Sequence, residues 1–485
     1  MASTKDNIIS ANDCCPFSPA ESCYKSFNWQ DSLREFSNHF LSAQSVFHFL
    51  SNKRDKEDDM PFAQWLRDVN GDNVWKWFAG RWVGSVKTDK YTIEVRPRFD
   101  NLSLFVLLDE IFSINIFNNL SAEDVSNTDS LLQKLIPFIW AQKLGEANKY
   151  GIPHTTINVL HKGPSVKGRL LIRKSILPFF KQKEGISATR EKQVDATICR
   201  IILQAYKLLN KNKVMNIRSK LSENAENALI NFENAKILDT QVTLKQYNDI
   251  RYKSIYESWR GVVDFSWQII QNHNFSQKES ENSKGFGMFV DMAEIWEMFL
   301  RSKLQKAFPD WDVSSPEIDT YNETFFKRKI IPDIVMKKGN DVMVFDAKWK
   351  RMEYRSEDVD RTDFFQIHTY IQYYHRKGYN VIAGGLLYPI SLEEEKLKGS
   401  KTFAALHGID NSTTFIVDGI CFGKEPAENE SNDQKSKTKK NISKEEKDKQ
   451  LKDYYEKRKT QFDESTEKFV ERIKEIILCP RKPSS

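Results

Sequence analysis

The stretch from Lys327 to Lys350, KRKIIPDIVMKKGNDVMVFDAKWK, constrains the fold more than any other part of the 485-residue chain. Two β-rich runs, IIPDIVM and VMVFDAK, flank KKGND, whose Gly339-Asn340 suits a tight turn. The segment therefore reads as an antiparallel hairpin. Its apolar runs require burial in a sheet, yet Asp333 stands at the start of the first and Asp346 at the end of the second. A buried carboxylate is costly unless something compensates it, and a divalent cation is the natural compensator. Side chains two apart share a strand face, so Asp346 and Lys348 point the same way, and hairpin pairing can bring Asp333 beside Asp346.

A Pro-Asp opening such a hairpin, with Asp-Ala-Lys closing it, is the sequence form of the PD-(D/E)xK nucleases. Upstream, FGMFVDMAEIWEMFLRSKLQKAF spaces its apolar residues as a helix does and sets Glu294 and Glu297 three apart on one flank. Glu297 is the candidate acid for the metal shell and Glu294 the reserve. Downstream, RTDFFQIHTYIQYYHRKGYN is a second helix with Gln366 and Tyr370 on one face. That Gln-x-x-x-Tyr pattern resembles the motif after the lysine in RecB-type nucleases, where it helps hold DNA near the site. VIAGGLLYP supplies a further buried strand. His368 and His375 lack a partner at metal spacing and read as packing or surface residues.

These parts imply a mechanism. Mg²⁺, or Mn²⁺ in its place, held by Asp333, Asp346 and the Ala347 carbonyl would polarise a phosphate oxygen and acidify a bound water. Lys348 would orient or help deprotonate that water and offset the charge growing on the phosphate. Glu297 would anchor the metal or its water. One such site cuts one strand.

The rest of the chain implies several domains, since its length exceeds one compact core. Residues 1–28 form a polar lead. Residues 29–270 read as a mixed α/β domain, largely helical from Trp29 to Phe78 and from Leu131 to Leu238. RWVGSVKTDKYTIEVRPRFD reads as a hairpin within it, Leu102–Phe117 as a helix, and HTTINVLHKGPSVKGRLLIRKS as an extended interruption. Residues 271–285 read as a linker, 286–423 as the nuclease domain, 424–452 as a charged low-complexity linker and 453–485 as a charged helix.

Net charge is +6, the balance of 73 basic and 67 acidic residues, which only leans toward polyanions. The six cysteines form no CxxC pair and no disulfide framework, which fits a reducing compartment. No secretory signal is evident, and the longest apolar run, Val381–Ile390, is too short to span a bilayer. A cytoplasmic protein without a membrane span is the expectation. No phosphate-binding loop, HExxH or GxSxG occurs, so the chain carries no recognisable motor of its own.

IWE, PDIV, DAK and QIHTY, in that order, resemble the McrC family, the nuclease subunits of modified-cytosine-directed restriction systems. RWVGSVKTDKYTIEVRPRFDN is similar to that family's N-terminal segment, and KYGIPHTTINVLHKGPSVKGRL to its middle segment ending in Gly168-Arg169. Together these cover roughly residues 75 to 390. Arg98 departs from the pattern, standing where the family often has Lys, and the charged tail beyond Lys424 has no place in it. The resemblance implies a multidomain α+β or α/β protein with a restriction-endonuclease-like C-terminal core, a central mixed sheet flanked by helices. It also implies that the N-terminal half docks on a McrB-like AAA+ GTPase hexamer, which recognises and translocates double-stranded DNA for the chain to cut. Two alternatives stand beside this: a self-sufficient RecB-like repair nuclease, and a non-catalytic activator of a ring NTPase.

Overall fold

The computed structural model describes residues 7–19, 28–40, 46–49, 61–68, 73–88, 91–112, 128–211, 217–278, 286–320, 329–350, 359–391, 413–422 and 444–478. The chain forms two compact units, residues 1–132 together with 283–485, and residues 133–282. This division differs from the expected one, in which residues 29–270 and 286–423 were separate domains. The expected linker is also partly helical, up to Lys278, and residues 279–285 lie outside the described residues.

The larger unit begins with β1 (Ile8–Asn12), β2 (Ser18–Pro19), α1 (Trp29–His39), β3 (Val46–Phe49), β4 (Ala63–Arg67), β5 (Trp75–Ala79), β6 (Trp82–Lys87), β7 (Thr92–Arg96) and α2 (Asn101–Phe112). Among the described residues, the helical reading of Trp29–Phe78 therefore holds only for α1. β4 and β5 instead pair antiparallel, as short aromatic-rich strands do. The expected hairpin is present as β6 and β7, whose inward residues Ile93 and Val95 are fully buried.

Why the N-terminal region joins the later one is visible at β11 (Phe286–Asp291). This strand pairs antiparallel with β6 and parallel with β3, completing a sheet in the order β2-β1-β7-β6-β11-β3. Phe289 of β11 is fully buried, with its ring centroid 5.1 Å from Phe62 and 5.2 Å from Phe40. A strand called for by distant sequence thus carries the chain from one apolar core into the next.

The smaller unit holds α3 (Thr128–Ala147) from residue 133 onward, β8 (His154–Gly163), β9 (Arg169–Leu170), α4 (Ile172–Gln182), β10 (Gly185–Val194), α5 (Ala196–Lys211), α6 (Glu223–Asn234), α7 (Leu244–Asn248) and α8 (Trp259–Lys278). β8 was expected as an extended piece. β10 was not, yet it pairs with β8 along its whole length, from Gly185↔Gly163 to Val194↔His154.

The second sheet of the larger unit uses β12 (Asp312–Ser314), β15 (Ile334–Lys338), β16 (Asp341–Ala347), β17 (Asn380–Ile390) and β18 (Thr414–Cys421), in that order, while β13 (Ile318–Asp319) and β14 (Lys329–Ile330) form a small separate pair. β15–β16 is antiparallel and both β16–β17 and β17–β18 are parallel, so the sheet is mixed. α9 (Met292–Ala307), α10 (Arg361–Arg376) and α11 (Lys444–Leu478) pack on it. Ile367, Ile371 and Tyr374 of α10 meet Val342, Val344 and Val381 in one core cluster. α11, charged as expected, buries Tyr455, Phe462, Phe469 and Ile473. Its Arg472 grips the buried Asp418 of β18 through two hydrogen bonds of 2.7 and 2.9 Å. Among the described residues no helix is long and apolar enough to cross a membrane.

Gly385 of β17 lies between Phe345 of β16 and Ile416 of β18. A Cβ there would stand 2.0 Å from the Ile416 carbonyl oxygen, so the strands would have to part. Overpacking of this kind costs about 1–3 kcal/mol. Gly385→Ala should lower the melting temperature in calorimetry; an unchanged melt would contradict this strand spacing.

Candidate active site

The expected hairpin is β15–β16. Lys338 pairs with Asp341, leaving Gly339-Asn340 as a two-residue loop. Gly339 has φ 62°, the left-handed conformation that a type II′ hairpin turn requires at its first central position. At the other end Ile334 pairs with Phe345, so Asp333 is carried alongside Asp346. Asp333 Oδ2 accepts the Ala347 N–H at 2.8 Å, which ties the two strand ends together.

Asp346 is 1 % exposed. Its Oδ2 lies 2.5 Å from Lys348 Nζ, confirming that the two side chains share a face. The same ammonium donates to Gln366 Oε1 at 2.9 Å and lies 3.3 Å from Asp363 Oδ1. Gln366 donates in turn to the Tyr370 hydroxyl at 2.9 Å, which donates to the Ile331 carbonyl at 3.4 Å. The Gln-x-x-x-Tyr pair expected to hold DNA therefore has Lys348 as its partner here, and it fixes where that ammonium sits. α10 can present these groups because Asp360 caps it, accepting the Thr362 N–H at 2.6 Å.

Glu297 and Glu294 come from α9, which begins directly after β11. Asp291 ends the strand, caps the helix through the Ala293 N–H at 3.0 Å, and pairs with Arg81, the residue just before β6, at 3.0 Å. Arg301, one turn beyond Glu297, lies 3.4 Å from its carboxylate and donates to the Asp333 carbonyl at 3.0 Å. All six expected site residues, Asp333, Asp346, Ala347, Lys348, Glu297 and Gln366, line one cleft of about 380 Å³.

The cleft also brings in residues that sequence reasoning missed: Arg81, Arg301, Lys350 and Asp363. Asp363 is 5 % exposed and bridges Lys348 and Lys350, the latter at 2.8 Å. Its only signal in the sequence is its place one helical turn before Gln366. His368 and His375 stand apart from this chemistry, as expected. His368 stacks on Phe415, and His375 hydrogen-bonds Thr413 at 2.8 Å.

The electrostatics follow from crowding carboxylates in a poorly solvated space. Burial pushes Asp333 well above the usual carboxylate range, and the Glu297 and Asp346 charges push further, against Lys348 and the Ala347 N–H. Burial also raises Asp346, opposed by Lys348. Glu297 is pushed up to about 8 by burial and by Glu294, opposed by Arg301. Burial works against the charge on Lys348, but Asp346, Asp363 and Asp333 outweigh it, so its proton is held more tightly than usual.

Does this set suit a divalent cation? Its donors are hard oxygens, the type that Mg²⁺ and Mn²⁺ prefer, and its carboxylates disfavour one another's charge. Among the described residues, the buried Asp346 Oδ2 finds no hydrogen-bond donor and meets Lys348 as an ion pair. The chemistry fits. Among the described residues no three His, Cys, Asp or Glu side chains already stand at metal-ligand spacing, so this is a donor set and not a formed cage.

A sequence model of the family described as "McrBC 5-methylcytosine restriction system component" matches residues 78–389. The chain belongs to this family. It is the restriction-system family that the motif order resembled, and the match includes both the β6–β7 hairpin and the cleft. No curated protein matches the chain. Among solved structures, the chain is similar to one in the "Refined half-complex from tetradecameric assembly of Thermococcus gammatolerans McrB AAA+ hexamers with bound McrC", at 14% identity and a TM-score of 0.41, over 92% of this chain and 100% of the other. A second similar structure is the Thermococcus gammatolerans McrBC complex, at 14% identity and a TM-score of 0.33, over 63% of this chain and 88% of the other.

The raised pKa of Glu297 gives this McrBC-family chain a pH-dependent stability. Unfolded, the group ionises near 4.5; folded, near 8. Its contribution is complete below 4.5 and is lost as pH rises toward 8, because the unfolded chain releases the proton first. Glu297→Gln lacks this loss. In metal-free buffer, its melting temperature should exceed that of the wild type by more at pH 8 than at pH 5. A difference independent of pH would refute the assignment.

Proposed function

We propose that the chain is a McrC-like cleavage subunit, a metal-dependent endodeoxyribonuclease of the PD-(D/E)xK type. It acts on double-stranded DNA with a McrB-like AAA+ GTPase hexamer. The observation that carries this reading is the convergence of Asp333, Asp346 and Lys348 at adjoining strand ends, with Gln366 on the lysine. Family membership supports the restriction-system setting. The lack of a phosphate-binding loop in the sequence supports a separate motor.

A bound Mg²⁺ or Mn²⁺, held by Asp333, Asp346 and the Ala347 carbonyl with Glu297 alongside, would supply Lewis-acid activation of phosphate and water. The chain's own groups do the rest. Lys348, charged and held by Asp346 and Gln366, offsets negative charge growing on the phosphate oxygens. Its tight hold on the proton suits it to that task better than to acting as the base. Gln366 and Tyr370 restrict the lysine to one orientation, and Arg301 and Lys350 at the cleft attract the DNA backbone.

Plasmid cleavage with Mg²⁺ and GTP, with and without a McrB-like GTPase from the same genome, tests this. Asp346→Ala should lower the cleavage rate by about a hundredfold or more, and Lys348→Ala by a similar factor. Gln366→Ala should cost about tenfold to a hundredfold. Undiminished cutting by Asp346→Ala would exclude this site. Cutting that needs neither GTP nor partner would favour a stand-alone RecB-like nuclease. GTPase stimulation without any cutting would favour a non-catalytic activator.

A further inference from the structure

Lys348 is the last residue before the chain leaves the second sheet, its N–H donating to the Leu387 carbonyl at 2.9 Å. The next two residues are gripped by the N-terminal part of the same unit. Trp349 Nε1 donates to Asp13 Oδ2 at 2.5 Å. Arg98 Nη2 donates to the Lys350 carbonyl at 3.0 Å, and Cys14 Sγ lies 3.4 Å from the Trp349 carbonyl oxygen. Asp13 also accepts the Arg98 backbone N–H. The Arg98 guanidinium lies over the Trp349 and Phe99 rings, 5.0 and 4.8 Å from their centroids.

Asp13 is 0 % exposed, Arg98 4 % and Trp349 5 %. Stability alone is a poor reason for this arrangement. Buried ion pairs are often no better than well-packed apolar residues of the same size. Arg98 Nε and Nη1 also find no hydrogen-bond acceptor among the described residues. What the cluster supplies is direction: separate bonds to two consecutive residues, immediately after the lysine of the cleft. Lys350, one of those two, shares Asp363 with Lys348.

We propose that Asp13 and Arg98 are positioning residues for cleavage: they lock Trp349 and Lys350, so that Lys348 stays on Asp346 and Gln366. The inference rests on the cleavage reading above. The N-terminal segment acts on the reaction through Lys348 and touches no reacting atom.

The test uses the full chain with its GTPase partner, Mg²⁺, GTP and plasmid. Trp349→Phe removes the indole N–H and keeps an aromatic ring; Asp13→Asn removes the charge; Arg98→Lys is the conservative variant and Arg98→Met the disruptive one. Trp349→Phe and Asp13→Asn should lower the single-turnover cutting rate per folded molecule by about tenfold. The half-saturating DNA concentration should stay within about twofold, and amides of residues 348–350 should exchange with deuterium faster. Arg98→Lys should keep more of the rate than Arg98→Met. A rate loss that merely follows the folded fraction, or wild-type rates in Trp349→Phe and Asp13→Asn, would overturn the inference while leaving the cleavage reading standing. A wild-type complex that does not cut would refute the cleavage reading itself, and the inference with it.

Discussion

Asp333 and Asp346 meet at the end of two buried strands, where neither carboxylate can shed its charge into water. Much of the surrounding structure answers that problem. Lys348 is drawn onto Asp346, Asp333 takes the Ala347 N–H, and Arg301 bridges Glu297 and the Asp333 backbone. Even so the acids remain raised, so the cleft retains a deficit of positive charge. The same carboxylates outweigh burial at Lys348 and hold its proton more tightly than usual.

A site under such repulsion holds its shape only if its walls are fixed from outside. Here the walls come from two sheets built into one unit. β11 belongs to the first sheet, and α9, which carries Glu297, begins where β11 ends. Asp291 at the junction serves both, capping the helix and pairing with Arg81. Asp13 and Arg98 take hold of the residues after Lys348. The N-terminal region therefore helps form the cleft.

The readings that succeeded were local ones. Two apolar β-rich runs and a Gly-Asn turn identified β15 and β16, and helical spacing identified α9 and α10, which carry Glu297, Gln366 and Tyr370. Those that failed depended on partners far away in sequence. Trp29–Phe78 read as helix because five-residue aromatic strands such as AQWLR and WKWFA carry too little periodicity to be told from a helix segment. β10, GISATREKQV, is mostly polar and is defined by its pairing with β8 rather than by any apolar stripe.

By itself, then, the sequence determined the hairpin, the identity of the acids and the lysine on it, and the family, because each rests on residues close in the chain. Tertiary structure decided which cations and carboxylates complete the cleft. Asp363, Arg301 and Arg81 reach it only through helix packing and strand order. It also decided that residues 1–132 and 283–485 are one unit, since pairing of β11 with β6 and β3 is a contact between segments some two hundred residues apart and leaves no local pattern to read.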